Sequence, residues 1–361
     1  METTHQLVFG NATNMDHVGD ESVELVVTSP PYPMIEMWDD IFASVDPRIR
    51  TALDEGKGSE AFELMNTILD KVWAEIYRVL VPGGITCINI GDATRTVAKN
   101  FQLFTNHSRF LQKLHEIGFQ ALPEIIWRKQ TNAPNKFMGS GMYPPGAYVT
   151  LEHEFILVLR KGRKREFKSQ DSKIERRKSA YFWEERNQWF SDVWEFRGTG
   201  QRLKPGINRE RSAAYPFDLA YRLINMFSIK RDTVLDPFLG TGTTSLAAMS
   251  LGRNSVGYEI DPSLRSVIEE RVDGLSSVAN TLVEERIASH LQFVRERVES
   301  KGPLKYTNDV YKFPVMTKQE IDIVFDLVDS ISQATENTYI VHHKALMREY
   351  EQENDGSSFL G

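Results

Sequence analysis

Apolar, β-branched runs alternate with amphipathic stretches along most of the chain. Leu25-Val26-Val27 predicts a buried strand that ends at Thr28-Ser29-Pro30-Pro31. From about Ala61 to Leu80, the residues Leu64, Ile68, Val72, Ile76 and Leu80 share one helical stripe. Pro82-Gly83-Gly84 stops that helix, and a strand follows over Ile85 to Ile90. A helix around Arg109 to Ile117 ends at Gly118, with strands near Glu124 to Trp127 and Phe155 to Leu159. Further on come a helix from Pro216 to Phe227, a strand Thr233 to Asp236, a Gly-rich turn, a helix through Leu246 to Leu251, and a strand Ser255 to Ile260. This alternation predicts βαβ units, and so an α/β fold with a mainly parallel twisted sheet covered on both faces. From about Gly274 the pattern changes to charged amphipathic helices, broken near Gly302-Pro303, and the polar tail from Glu349 to Gly361 is expected to fray.

Length and composition narrow the class. A chain of 361 residues exceeds one small core, so it predicts two domains or one large α/β domain with additions. No run approaches the roughly 18 to 20 apolar residues of a membrane span, and Met1 to His5 lacks the basic and apolar regions of a signal peptide. The expected setting is cytoplasmic, with no membrane partner. One cysteine, Cys87, excludes an internal disulfide and a cysteine-rich zinc site. The net charge of −7 argues mildly against nucleic acid, but it is unevenly spread. Residues 160–211 hold 16 Lys plus Arg against 8 Asp plus Glu, a net of +8, and the rest holds 27 against 42, a net of −15. Phe167, Tyr181, Phe182, Trp183, Trp189, Phe190, Trp194 and Phe196 follow the basic run. Basic groups displace counterions from phosphates and aromatics wedge or stack, whereas the bland alternative is a solvated face with buried aromatics.

Two motifs carry the candidate chemistry. Asp236-Pro237-Phe238-Leu239-Gly240-Thr241-Gly242-Thr243-Thr244 follows a strand and opens a helix. Gly240 and Gly242 allow backbone to approach a ligand, and Glu259 ends the next strand 17 residues after Gly242. A carboxylate there can accept from both hydroxyls of a ribose, which points to a nucleoside-containing cofactor. The stretch is neither a phosphate-gripping P-loop nor the G-x-G-x-x-G of dinucleotide folds. The second motif is Thr28-Ser29-Pro30-Pro31-Tyr32-Pro33. Pro30 offers only a carbonyl, Ser29 a hydroxyl and Tyr32 a flat face, a combination suited to a planar ligand bearing an amino group. The plain alternative is a turn with a packed tyrosine. Both motifs fall at strand carboxyl ends, where open α/β sheets bind ligands, so they can share one crevice.

Ser-Pro-Pro-Tyr together with Asp-Pro-Phe-x-Gly-x-Gly-Thr-Thr resembles the S-adenosylmethionine-dependent DNA amino-methyltransferases, with the catalytic motif first as in their permuted β-group. The resemblance runs over roughly residues 5–160 and 212–272. It includes Val8 to Ala12, Ser22 to Val27, Arg78 to Gly84, Ile88 to Asp92, Ile125 to Lys129, His153 to Val158 and Tyr215 to Phe217. It implies a Rossmann-like methyltransferase fold divided as 1–159 (catalytic half), 160–211 (basic target-recognition region) and 212–274 (cofactor half), followed by a helical C-terminal extension over 275–361. It implies Ser29, Pro30, Pro31 and Tyr32 as catalytic residues. It implies Asn11, Tyr215, Asp236, Phe238, Gly240, Gly242, Thr243, Thr244 and Glu259 as cofactor contacts, although Asn11 stands where the family usually has aspartate. Arg163, Lys164, Arg165, Arg176 and Arg177 become the DNA contacts. S-adenosyl-L-methionine is the implied cofactor, without a metal, and double-stranded DNA the partner. Serine before Pro-Pro-Tyr is typical of cytosine-N4 members, and Asp or Asn of adenine-N6 members.

The expected reaction is attack of the N4 amine of a flipped cytosine on the sulfonium methyl, with Tyr32 stacked on the base and Ser29 and the Pro30 carbonyl accepting from the amine. Carbon methylation needs a cysteine nucleophile, and Cys87 lies inside an apolar strand. Met34 to Lys57 is expected to form a loop over the base; Trp38 within it is either part of that loop's contact or a core residue. His153 and Glu154 read as strand-end structure, and His342-His343 lacks ligand partners at metal spacing. The alternatives are adenine-N6 methylation, RNA or protein methylation, and a catalytically silent DNA-binding subunit. Three roles fit the extension: a homodimer contact, further DNA contact, or a partner site. A restriction endonuclease acting on the same sequence is the partner that a restriction-modification system implies.

Overall fold

The computed structural model describes residues 1–129, 138–139, 141–196 and 215–350. Eleven strands form one sheet: β1 (Glu2–Phe9), β2 (Val23–Thr28), β3 (Leu80–Ile90), β4 (Phe119–Ala121), β5 (Ile125–Arg128), β6 (His153–Lys161), β7 (Val193–Glu195), β8 (Thr233–Asp236), β9 (Asn254–Glu259), β10 (Asp326–Thr335) and β11 (Thr338–Ala345). Their order is β7-β5-β6-β3-β2-β8-β9-β1-β11-β10, with β4 also paired to β6. The five central strands β3, β2, β8, β9 and β1 are parallel. Antiparallel pairs flank them on both sides. The central runs are apolar because both faces are covered, as the buried pattern of Val23–Thr28 shows.

Ten helices are described. They are α1 (Asp39–Val45), α2 (Arg48–Asp54), α3 (Gly58–Val79), α4 (Asn106–Ile117), α5 (Gln170–Lys178), α6 (Trp183–Trp189), α7 (Phe217–Phe227), α8 (Thr243–Ser250), α9 (Arg265–Asp273) and α10 (Leu275–Lys301). On one face, α3 buries Met65, Leu69, Val72, Trp73 and Ile76. Trp73 packs edge-on to Phe110 of α4 and to Phe238 of the Gly-rich turn. On the other face, α7 and α8 bury Leu219, Leu223, Ile224, Ala247 and Ala248 against β2, β3 and β8. The α4 helix ends where the sequence predicts, at Gly118 with φ +119°.

Two expectations are corrected. The stretch after Met34 is not a loop: it folds into α1 and α2 after a single turn of 3-10 helix at Glu36–Trp38. The C-terminal extension is helical only through α10. After Gly302 the chain goes on to form the β10–β11 hairpin, which adds to the free edge of β1. The signal was present as period-2 burial, with Tyr339, Val341 and His343 turned inward. The residues from Glu351 to the end of the expected frayed tail lie outside the described residues. The extension and the basic segment also share a core, in which Phe182 stacks on His290 and packs with Ile287, Phe313 and Phe325.

The β1–β11 seam buries two histidines. His5 bonds Ser255 Oγ and Thr3 Oγ1, and Thr3 Oγ1 meets His343 Nε2, each at 2.9 Å. Burial holds the pKa of His5 down to about 3 and that of His343 down to about 4. Both rings are therefore neutral when folded, whereas an unfolded chain protonates them near pH 6.5. As pH falls from about 6.5 toward 4, the unfolded state binds more protons, so stability should drop by about 1.4 kcal/mol per histidine per pH unit. Urea midpoints at pH 7 and pH 5 check this, and equal midpoints would count against it.

Candidate active site

The β2 and β8 strands are neighbours, with Leu25 opposite Val234 and Val26 opposite Leu235. Their carboxyl ends are Thr28 and Asp236, and Thr28 Oγ1 donates to Asp236 Oδ1 at 2.6 Å. Two motifs more than 200 residues apart in sequence are thus joined by one hydrogen bond. A cavity of about 550 Å3 opens over this edge.

One wall of the cavity is formed by Ser29, Pro30, Pro31 and Tyr32. Gly91 at the end of β3 allows the tyrosine in: a Cβ there would lie 3.1 Å from the Tyr32 ring and 3.2 Å from Glu154. Trp38, Ile41, Phe42 and Val45 from the α1 region close one side. This region is clamped by the buried pair of Arg95 and Asp39, at 2.8 and 2.6 Å. Trp38 faces the cavity and also packs against the core.

The opposite wall holds Asn11, Tyr215, Phe238, Gly240, Thr243 and Glu259. The two oxygens of Glu259 accept from the backbone N–H groups of Gly240 and Asp261, at 2.7 and 2.8 Å. Burial raises the Glu259 pKa against these donors. Gly242 caps α8 with φ +85°, a conformation that a side chain would strain.

Asp236, Gly242 and Thr244, expected as cofactor contacts, stand behind this wall rather than on it. The Asp236 carboxylate is 2% exposed and accepts from Thr28, Thr244, Tyr215 and the Phe238 N–H. The Thr244 hydroxyl is consumed by Asp236 and Tyr215. These residues hold the turn in shape.

Sequence reasoning missed three polar residues of the cavity: Asn89, Lys129 and Glu154. Glu154 Oε2 accepts from Tyr32 Oη at 3.0 Å and from Asn89 Nδ2 at 2.7 Å, and Oε1 pairs with Lys129. Lys129 Nζ also lies 4.6 Å over the Trp127 ring. Glu154 is the one acid of β6, next to the apolar run Phe155 to Leu159. Because β6 runs antiparallel to β3, its amino end, not its carboxyl end, reaches the cavity. Cys87 is fully buried, and burial pushes its thiol pKa up, which removes it as a nucleophile. Among the described residues, no cluster of His, Cys, Asp and Glu is arranged to hold a metal ion, and no helix is long and apolar enough to cross a membrane.

The same antiparallel course sets the expected DNA contacts apart from the cavity. At a rise of about 3.3 Å per residue, the nine residues of β6 put about 26 Å between its ends. The basic run leaves at the far end, on the edge opposite the cavity. Arg165 makes a bidentate pair with the buried Asp232, at 2.6 and 2.8 Å, and shares the Phe167 ring with Arg176. Arg177 pairs with Asp322 at 2.9 Å. Arg163 and Lys164 are exposed there. Phe182, Trp189 and Trp194 are core residues rather than wedges. The last five basic positions of this region, from Arg197 to Arg211, lie outside the described residues. Arg163→Gln with Lys164→Gln is therefore expected to leave the slope of log Kd against log salt unchanged. A phosphate contact contributes about 0.9 to that slope, so a fall of one or two would return these side chains to the DNA.

The model of a DNA methylase family, covering members that modify N6 or N4 amino groups, matches residues 23–270. The chain belongs to this DNA amino-methyltransferase family. The methyltransferase is 54% identical over 325 residues to the Type II methyltransferase M.MthZI of Methanothermobacter thermautotrophicus, covering 90% of each chain. It is 53% identical to M.MjaI of Methanocaldococcus jannaschii, covering 75% of this chain and 91% of that one. A Thermus thermophilus protein solved with S-adenosyl-L-methionine is 32% identical, with a TM-score of 0.56 over 74% of this chain and 94% of that one. The PvuII cytosine-N4-specific DNA methyltransferase shares the fold at 15% identity, with a TM-score of 0.50 over 77% of this chain and 93% of that one. S-Adenosyl-L-methionine is the cofactor of this methyltransferase.

Proposed function

We propose that the enzyme transfers a methyl group from S-adenosylmethionine to the exocyclic N4 of a cytosine flipped out of double-stranded DNA. We further propose that it does so as the modification partner of a restriction endonuclease acting on the same sequence in the cytoplasm. The observation that carries this reading is Ser29, rather than an acid or amide, on the cavity wall beside Pro30 and Tyr32. The Type II designations of the two archaeal relatives support the restriction-modification setting.

The proposed geometry uses both walls. The adenosine lies along Asn11, Phe238 and Glu259, whose carboxylate retains lone pairs for the ribose hydroxyls beyond its two backbone bonds. The base stacks on Tyr32 under Trp38, and Ser29 Oγ and the Pro30 carbonyl accept from its amino group. Those acceptors favour a more pyramidal amine, whose lone pair is less delocalised into the ring and attacks the methyl carbon directly. The rate gain rests mainly on positioning, worth up to about 7 to 11 kcal/mol in well-oriented systems.

The deciding experiment incubates unmethylated amplified genomic DNA with the enzyme and S-adenosylmethionine, digests it to nucleosides and weighs them. N4-methylcytidine is expected. N6-methyladenosine would replace the cytosine reading with the adenine one, and no methylated nucleoside would favour a silent DNA-binding subunit.

A further inference from the structure

The hydroxyl of Tyr32 sits in a chain of hydrogen bonds whose direction is fixed. Asn89 Nδ2 donates to Tyr32 Oη at 2.8 Å and to Glu154 Oε2 at 2.7 Å. Reversing that amide would set its oxygen against a carboxylate, so the orientation follows from the network. A carboxylate only accepts, so the Tyr32 proton lies toward Glu154 Oε2, 3.0 Å away. Tyr32 Oη then donates to Glu154 and accepts from Asn89. Its remaining contact, with Ser29 Oγ at 3.2 Å, is one in which Ser29 donates. Both hydroxyl protons point along the chain toward Glu154, and Ser29 Oγ is left with lone pairs for an incoming N–H. Glu154 is 12% exposed, and its partner Lys129 is 40% exposed, toward solvent.

We propose that Ser29, Tyr32 and Glu154 form a relay that carries off the proton lost by the target amine. This rests on the reading of the enzyme as a DNA amino-methyltransferase acting at this cavity, and holds for cytosine or adenine alike. As the nitrogen–carbon bond forms, the carbon–sulfur bond breaks and sulfur keeps the electron pair. The cationic nitrogen passes one proton to Ser29 Oγ, Ser29 passes its own to Tyr32 Oη, and Tyr32 passes its own to Glu154 Oε2. The products are a neutral methylated amine, a neutral thioether and a protonated Glu154. Glu154 then returns its proton to water beside Lys129 at the exposed side. Burial, and then the charge of Glu154, hold the Tyr32 phenol well above its usual pKa. A resident tyrosinate is thereby excluded as the base, whereas a concerted shift needs none.

Tyr32→Phe tests the relay, because it keeps the stacking face and removes only the hydroxyl. On unmethylated amplified genomic DNA with methyl-labelled cofactor, the single-turnover rate is expected to fall about 100-fold, the low end for a lost proton-transfer group. Affinities for S-adenosylmethionine and DNA should stay within about two-fold, since neither ligand loses a contact. Glu154→Gln should cost about as much, and the double variant little more, because the two act as one unit. In mixtures of light and heavy water, the natural enzyme should give a curved rate dependence, from several protons in flight, and Tyr32→Phe a linear one. A Tyr32→Phe enzyme at the full rate overturns the relay. If that variant does not fold, Glu154→Gln at the full rate does so instead. If the natural enzyme methylates no DNA, the underlying reading fails. If the natural enzyme and Tyr32→Phe methylate equally fast, the relay alone fails.

Discussion

Ser29→Ala combined with Tyr32→Ala is expected to lower methyl transfer at least about 10^4-fold while changing S-adenosylmethionine affinity by no more than about three-fold. The amine loses its side-chain acceptor and its route for the departing proton, a class of contribution worth about 10^2 to 10^4-fold. The flipped base also loses its aromatic platform, where stacking is worth about 1–3 kcal/mol per base. The two effects multiply, because one sets the reactivity of the nitrogen and the other its position. The cofactor is spared because Asn11, Phe238, Gly240 and Glu259 stand on the opposite wall. Single-turnover transfer to DNA and calorimetric titration with S-adenosylmethionine measure the two quantities. Retained cofactor binding also shows that the variant is folded. Full transfer by this double variant would remove the catalytic role from Ser-Pro-Pro-Tyr.

Asp236→Ala is expected to destabilise the fold by about 3–5 kcal/mol, the range for removing one partner from a buried charged network. Its carboxylate is the shared acceptor for the hydroxyls of Thr28, Thr244 and Tyr215 and for the Phe238 N–H. Those donors come from β2, α8, the segment before α7 and the Gly-rich turn. Alanine removes the partner of the Thr28 hydroxyl and of the Phe238 N–H, at about 1–3 kcal/mol each, offset in part by water entering the space, while Thr244 and Tyr215 keep each other and the Val27 carbonyl. Cofactor affinity should fall as well, because the turn that carries Phe238 and Gly240 loses its anchor. Urea denaturation with the cofactor absent isolates the stability term. A loss under about 1 kcal/mol would show that the network is not what joins the two motifs.

Part of the site was legible because its residues carry their chemistry in local sequence. A strand followed by a Gly-rich turn, or by Ser-Pro-Pro-Tyr, needs only short-range rules to be read. Strand polarity then puts both motifs on the carboxyl edge of the sheet. Glu154 and Lys129 escaped because an acid at the start of an apolar strand looks like a strand end. Its distance from Tyr32, 122 residues along the chain, is closed only when β6 pairs antiparallel with β3. The same pairing decides where the basic run begins, since charge density gives composition but not the edge on which it emerges. The hairpin after Gly302 was misread because the amphipathic pattern of α10 was extended past its stop, over a segment whose burial alternates with period two.

By itself, the sequence determined the α/β class, the permuted order of the two motifs and the residue types that meet an amino group and a nucleoside cofactor. These follow from periodicity, turn chemistry and side-chain inventory, all of which act over a few residues. Tertiary structure alone decided that Thr28 and Asp236 are neighbours, that Asp236 and Thr244 brace the turn from behind, and that Glu154 reaches the Tyr32 hydroxyl. Those outcomes depend on strand order and direction. The burial of the whole sheet selects strand order and direction, and no local stretch of sequence encodes them.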